Sequence, residues 1–237
     1  MNIIKDLGNG LVLRRSGRED AEKLFAFNAM IHGEEVLDER IGQWSHDLVS
    51  KPHPTFNEND YTIIEETATG RIVSSLNLIS QSWTYEGIPF GVGRPELVGT
   101  LPEFRNKGLV RLQMEEIHRW SADRGQLVQA ITGIPNYYRM FGYEMCVDLE
   151  GSRSGFEMNL PKLPAENLEE PYRLRAATIS DISFVMEVSA YAAGRSLIYT
   201  ERNEEMWRYE LNGRSDNSIN RLLWQIIEKA ADGSAVG

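Results

Sequence analysis

Apolar and polar positions along the chain alternate with two different periods. Leu11-Val12-Leu13-Arg14-Arg15 predicts a short strand. Ser16 to Asp20 opens a helix to about His32, with Ala21, Leu24, Phe25, Asn28 and Ala29 along one stripe. A second helix covers Leu37 to Val49, and Lys51-Pro52-His53-Pro54 ends it because proline cannot continue a helix. Tyr61 to Glu66 is a strand, Thr67-Ala68-Thr69-Gly70 a hairpin turn, and Arg71 to Trp83 the returning strand, with Ile72, Leu76 and Leu78 prominent. Glu86-Gly87 turns the chain again, and Glu96 to Leu101 is a further strand. A helix then runs to about Arg124. Leu109, Leu112, Ile117 and Trp120 fall on one face, and Gln113, Glu116 and Arg119 face away.

Leu127 to Ile131 reads as a buried-type strand. A short helix begins at Pro135 or Asn136 and is stopped by Gly142. Strands are expected near Met145–Asp148 and Gly155–Leu160. Residues 161–171, with three prolines and three glutamates, read as a linker. Then the pattern starts again. Leu174-Arg175 followed by Asp181 repeats Leu13-Arg14 followed by Asp20, at an offset of 161. Ile226-Ile227-Glu228, Gly233 and Val236 repeat Ile63-Ile64-Glu65, Gly70 and Val73, at an offset of 163. Two groups in order at nearly one offset suggest duplication. The expected organisation is a first domain over 1–160, a linker over 161–171, and a partial second copy over 172–237. That copy stops just after its hairpin turn, so either the chain is a fragment or something else pairs with its last strand.

At 237 residues, 41% of them hydrophobic, the chain can bury a sizeable core. No run of eighteen apolar residues suggests a membrane span. Met1 to Arg15 lacks the apolar core and cleavage site of a signal peptide. The single cysteine, Cys146, excludes an internal disulfide and a Cys-rich metal site, and is expected as a buried thiol in a strand. These features point to the cytoplasm. A net charge of −10 argues against nucleic acid as the main partner and is compatible with steering cationic substrates.

The stretch from Val98 through Gly99, Thr100 and Arg105-Asn106-Lys107-Gly108 to Leu109 and Val110 carries the candidate chemistry. It runs strand, basic turn, helix. The first helical N–H groups lack intrahelical partners, and the helix dipole adds partial positive charge there. Gly108, with no Cβ, lets an anion approach, and Arg105 and Lys107 add full charges. A pyrophosphate would be well held. Taken alone this spacing is common in solvated turns.

The order of elements resembles the GNAT family of acyl-CoA-dependent N-acetyltransferases. The likeness rests on Val98 to Leu109, which looks like that family's cofactor strand and pyrophosphate loop. It rests also on Tyr138-Arg139-Met140-Phe141-Gly142-Tyr143, which looks like its Tyr-x-x-x-Gly-Phe/Tyr ending. The tandem arrangement is similar to the "enhanced intracellular survival" branch of aminoglycoside and lysine acetyltransferases, without that branch's third domain. The resemblance implies an α/β (α+β) fold: a mixed, mostly antiparallel sheet flanked by helices, followed by the partial second copy. It implies acetyl-CoA as co-substrate, no metal, and a small, cationic primary amine as acceptor. Backbone groups of Val98 and Thr100 would meet the pantetheine arm, amides from Arg105 through Val110 would cradle the pyrophosphate, and Tyr138 would protonate the departing thiolate.

The base that takes the amine's proton is open between Glu96 and His32; His118, mid-helix, is set aside. Phe25, Trp44, Trp83 and Tyr85 are candidates to wall a substrate pocket, although such residues are usually core. Neither nucleic acid nor membrane is expected as a partner, and an unpaired final strand would favour homo-oligomers. The competing reading is a non-catalytic module that binds CoA or serves assembly. A dinucleotide-binding oxidoreductase is poorly supported: Gly8-Asn9-Gly10 precedes the first predicted strand, and the chain lacks Gly-x-Gly-x-x-Gly.

Overall fold

The computed structural model describes residues 2–33, 35–134, 136–147, 156–159 and 170–237. In chain order they form β1 (Ile3–Gly8), β2 (Leu11–Arg15), α1 (Ala21–Ile31), α2 (Glu39–Ser50), β3 (Tyr61–Glu66), β4 (Arg71–Tyr85), β5 (Ile88–Thr100), α3 (Leu109–Asp123), β6 (Val128–Gln129), β7 (Tyr172–Ala176), α4 (Ile182–Ala193), β8 (Ile198–Glu201), α5 (Glu204–Asn212) and β9 (Gln225–Lys229). Two compact units result, one of Met1–Ile131 with Thr178–Leu222 and one of Thr132–Ala177 with Leu223–Gly237.

In the first unit the sheet order is β1-β2-β3-β4-β5-β6, with β8 added against β4. Neighbours are antiparallel except β5 and β6, which run parallel over Val92–Val128 and Gly93–Gln129 alone. Strand alternation sends successive side chains to opposite faces. On one face Arg14 donates to both Glu65 and Asp20, and Asp20 leads into α1. On the other, Thr62 and Ser74 bond Gln113 of α3. Thus α1, with α2 packed on it, covers one face and α3 the other. Leu24, Phe27, Tyr61, Ile63, Val73, Leu97 and Leu101 belong to the main apolar core.

Several sequence expectations are corrected. Phe27 is buried in α1 where Phe25 was expected; Phe25 is half-buried. Gln113 and Glu116 do not face away from the sheet. Gln113 is 0% exposed because its amide donates to Thr62 and accepts from Ser74, and Glu116 is buried because it accepts from the Trp120 indole and Arg119. Gly8-Asn9-Gly10 turns between β1 and β2, so a strand precedes it. Leu127–Ile131 shortens to two strand residues. Cys146 is exposed and outside any strand. The expected strand at 155–160 is instead a 3-10 turn at Glu157–Asn159, where described. Residues 148–155 and 160–169, with most of the expected linker, lie outside the described residues.

Residues 178–222 fold with the first unit, unlike the expected boundary at 172. Ile198–Glu201 pairs with Ser82–Tyr85 at the far end of β4. Ser215 donates its N–H and hydroxyl to the buried Asp47 carboxylate on α2, at 2.7 and 2.8 Å. His53 is enclosed there, 4.3 Å from the Tyr209 ring and 6.0 Å from Phe56. Its Nδ1 accepts from the Thr55 N–H, and burial, with Arg214 nearby, pulls its pKa down to about 4. The folded imidazole is therefore neutral where the unfolded one, near 6.5, takes a proton. Stability is full above about pH 6.5 and falls as pH drops toward 4, by up to about 3 kcal/mol. Urea unfolding at pH 7.5 and pH 5 should show this loss in the wild type and a smaller one in His53→Phe.

The second unit pairs β7 with β9. Leu174 faces Ile227 and Arg175 faces Ile226, as Leu13 faces Ile64 and Arg14 faces Ile63 in the first unit. Glu228 bridges Ala235 as Glu65 pairs with Ile72, and the Ile227 N–H donates to Gly237 as the Ile64–Ser74 step predicts. The Arg175–Glu228 ion pair, at 2.5 Å, repeats Arg14–Glu65. In the first unit, Asp181 caps the turn before α4 through the Thr178 N–H as Asp20 does through that of Gly17.

Candidate active site

The loop after β5 is shaped by three local choices. Pro102 starts a 3-10 turn through Phe104, whose N–H donates to Leu101. Asn106 (φ 61°) and Gly108 (φ 74°) both take the left-handed conformation that glycine and asparagine adopt most readily. Gly108 then serves as N-cap of α3 without a side-chain cap. Among the described residues, no carbonyl or side chain takes the N–H groups of Asn106, Lys107, Gly108, Leu109 or Val110. Five consecutive amides at a helix N-terminus make an anion cradle. Arg105, held by a 3.3 Å bond from its Nε to the Thr100 carbonyl, and Lys107, 4.6 Å above the Phe104 ring, flank it.

A buried polar network fixes this helix start against the sheet. The Ser74 hydroxyl lies 2.7 Å from Thr100 Oγ1 and donates at 2.6 Å to Gln113 Oε1, and Gln113 Nε2 donates to Thr62. Three strands and α3 are thus tied at the level of Thr100. Such a network is specific because each buried polar atom left unpaired would be costly.

The strand leading in is irregular. Asn77 faces Glu96 and Ser75 faces Gly99, so Leu97 and Val98 together oppose Leu76. This is a β-bulge, and Leu97 holds φ 54° there while its side chain is buried in the core. A leucine in that region is strained, a feature that gathers at functional sites. Beyond Gly93, β6 no longer pairs with β5, so Arg94 to Thr100 present an open edge among the described residues. The Leu101 N–H points to Val73 on β4, so the Thr100 N–H points to that open edge. Gly99 has no room for a Cβ, which would lie 2.6 Å from Ile31.

The two candidate bases sit on the α1 face or at its end. Glu96 has a side chain 12% exposed, with the Arg94 guanidinium 2.6 Å away; burial raises its pKa and Arg94 opposes that rise. His32 ends α1; burial lowers its pKa, against the pull of Asp38, and its Nε2 makes no hydrogen bond among the described residues. Of the aromatic candidates, Phe25, Trp44 and Trp83 are half-buried, and Tyr85 is half-exposed on the β4 arm beside β8.

Tyr138 belongs to the second unit. It opens a 3-10 turn, Tyr138–Phe141, closed by Gly142 at φ 91°. Its ring packs edge-on against Tyr137 at 5.1 Å and Tyr143 at 6.1 Å, and Gly133 gives it room.

The model of the acetyltransferase (GNAT) domain matches residues 13–146, more than half of the chain. The chain belongs to the GNAT acetyltransferase family. No curated protein matches it. Among solved structures, N-myristoyltransferase of Saccharomyces cerevisiae with bound myristoyl-CoA superposes with a TM-score of 0.68 at 14% identity, covering 98% of this chain and 60% of that one. An Enterococcus faecalis protein described as a probable N-acyltransferase superposes at 0.61 and 15% identity, covering 95% and 53%. The chain thus spans little more than half the length of these proteins, and at such identity they show the fold.

In this GNAT fold the sequence reading missed three contributors: the bulge at Leu97, the Ser74–Gln113 tie, and the partners of Glu96. Only Gln113 left a signal, as a polar residue between Leu112 and Met114 and four residues from both Leu109 and Ile117.

Proposed function

We propose that the chain is an N-acyltransferase that moves an acetyl group from acetyl-CoA to a primary amine of a small, cationic acceptor. The observation that carries this reading is the run of unclaimed amides from Asn106 to Val110, which follows the open β5 edge at Val98–Thr100 after one short turn. That arrangement fits a pyrophosphate joined to an extended amide-bearing arm, which adds to a sheet edge as a peptide strand does. Acetyl-CoA supplies an acyl carbon activated as a thioester. Glu96, one residue before the bulge, takes the proton that the amine nitrogen loses as the C–N bond forms; His32 is the other candidate. Tyr138 gives its phenol proton to the sulfur as the C–S bond breaks, a transfer open to a phenol because the reference value for that group, ~10, is at or above that of a thiol. The net charge of −10 favours a cationic acceptor. The repeated register of β7 with β9 supports a tandem arrangement related to the "enhanced intracellular survival" branch.

The test is turnover of acetyl-CoA, read as released thiol, over polyamines, aminoglycosides and lysine. In Tyr138→Phe, kcat should fall about 10²-fold while acetyl-CoA affinity, read by calorimetry, stays within twofold. Unchanged turnover would remove Tyr138 from the role of acid.

A further inference from the structure

Tyr61, Asn77 and Glu96 stand side by side on β3, β4 and β5. Asn77 is the register partner of both others. Tyr61 and Asn77 are 0% exposed, and the row opens only at Glu96. Among the described residues, Tyr61 Oη and Asn77 Oδ1 and Nδ2 have no partner in hydrogen-bond geometry, and Glu96 Oε1 is held by the Arg94 guanidinium at 2.6 Å. Buried polar groups are rarely left unpaired, and here those of Tyr61 and Asn77 stand at facing register positions, next to Glu96 and the bulge at Leu97. Their chemistry is ordered too: a phenol that donates, an amide oxygen that accepts, an amide nitrogen that donates, a carboxylate that accepts. Catalytic hydrogen bonds are often long before substrate arrives and close afterwards.

We propose that Tyr61 and Asn77 are positioning residues that hold Glu96 as the proton-accepting carboxylate, through a relay from the Tyr61 hydroxyl to Asn77 Oδ1 and from Asn77 Nδ2 to Glu96. This rests on the acyl-transfer reading and adds the support behind its base. A carboxylate at a sheet surface can turn either oxygen to the substrate. The amide fixes which one is free, and the phenol fixes the amide. Burial raises the pKa of Tyr61 strongly, the Asn77 side chain opposes that rise, and the Glu96 charge adds to it, so the three groups sense one another. Arg94, on the same strand, is the charged group that acts on Glu96; neither α1 nor α3 contributes one among the described residues.

The test is a carbon-13 carboxyl NMR titration of the 237-residue chain, labelled at glutamate, with Glu96 assigned by Glu96→Gln. Tyr61→Phe removes a single hydroxyl and keeps the ring, so the fold should be kept; circular dichroism checks this. If the relay operates, Glu96 titrates higher in Tyr61→Phe than in the wild type, by about half to one pH unit, because the charged form loses support. Asn77→Ala, if folded, shifts it further in the same direction. Identical Glu96 titration in wild type and Tyr61→Phe overturns the relay. Failure of the wild type to bind acetyl-CoA in calorimetry overturns the transferase reading instead, and the Glu96 titration does not depend on that result.

Discussion

Gly108→Glu abolishes measurable acetyl-CoA binding, by about 10²-fold or more, in calorimetric titration of the 237-residue chain. The effect has two parts that a second variant separates. At φ 74° any side chain is strained, which costs roughly 1 kcal/mol, but a Cβ there meets nothing within 4 Å. Gly108→Ala should therefore fold, melt slightly lower, and bind acetyl-CoA within about tenfold of the wild type. Glutamate adds a negative charge to a cradle of amides between Arg105 and Lys107. Two unit charges ~4 Å apart repel by about 4 kcal/mol at an effective dielectric of 20, and that sets the expected loss. Raising salt should recover part of it, since the loop is exposed. Equal binding by Gly108→Glu and the wild type would move the pyrophosphate elsewhere.

That loop was legible in the sequence because its determinants are local. Gly108, the basic pair and the apolar spacing of α3 lie within twenty residues. The strand that delivers it was only half legible. Ile88-Pro89-Phe90-Gly91-Val92-Gly93-Arg94-Pro95, with two prolines and two glycines, was assigned to no element, yet it forms the first part of β5. Proline is tolerated where a strand's free N–H side has no neighbour, and β6 meets β5 only at Val92 and Gly93. The bulge left no signal, since leucine is not a residue that favours positive φ; long-range packing imposes it there. The Tyr61–Asn77–Glu96 row was invisible for a related reason. Which residues face one another depends on register, and the bulges in β4 and β5 shift it. β1 was missed because its alternation is shallow and much of it is exposed.

Arg14→Met costs the fold about 3–5 kcal/mol, seen as a lower urea midpoint with an unchanged slope. Arg14, Asp20 and Glu65 have side chains 4%, 2% and 4% exposed. Burial alone would lower the Arg14 pKa, but hydrogen bonds to both carboxylates override it and keep the guanidinium charged. Burial would likewise raise Asp20, and Arg14, with the Gly17 N–H, instead holds it below the usual carboxylate range. Methionine fills the volume and leaves two buried acids facing each other, with Lys23 still 3.8 Å from Glu65 as a partial substitute. Arg14→Met/Glu65→Met should then recover part of the loss, because an apolar pair replaces an uncompensated charge. The repeated pair behaves differently. Arg175 is 37% exposed and shares Glu228 with Arg173, so Arg175→Ala should leave the midpoint almost unmoved. The same arginine–glutamate pair at the same register thus gives a large effect in one unit and a small one in the other. Burial decides which, and a midpoint for Arg14→Met as small as that for Arg175→Ala would refute it.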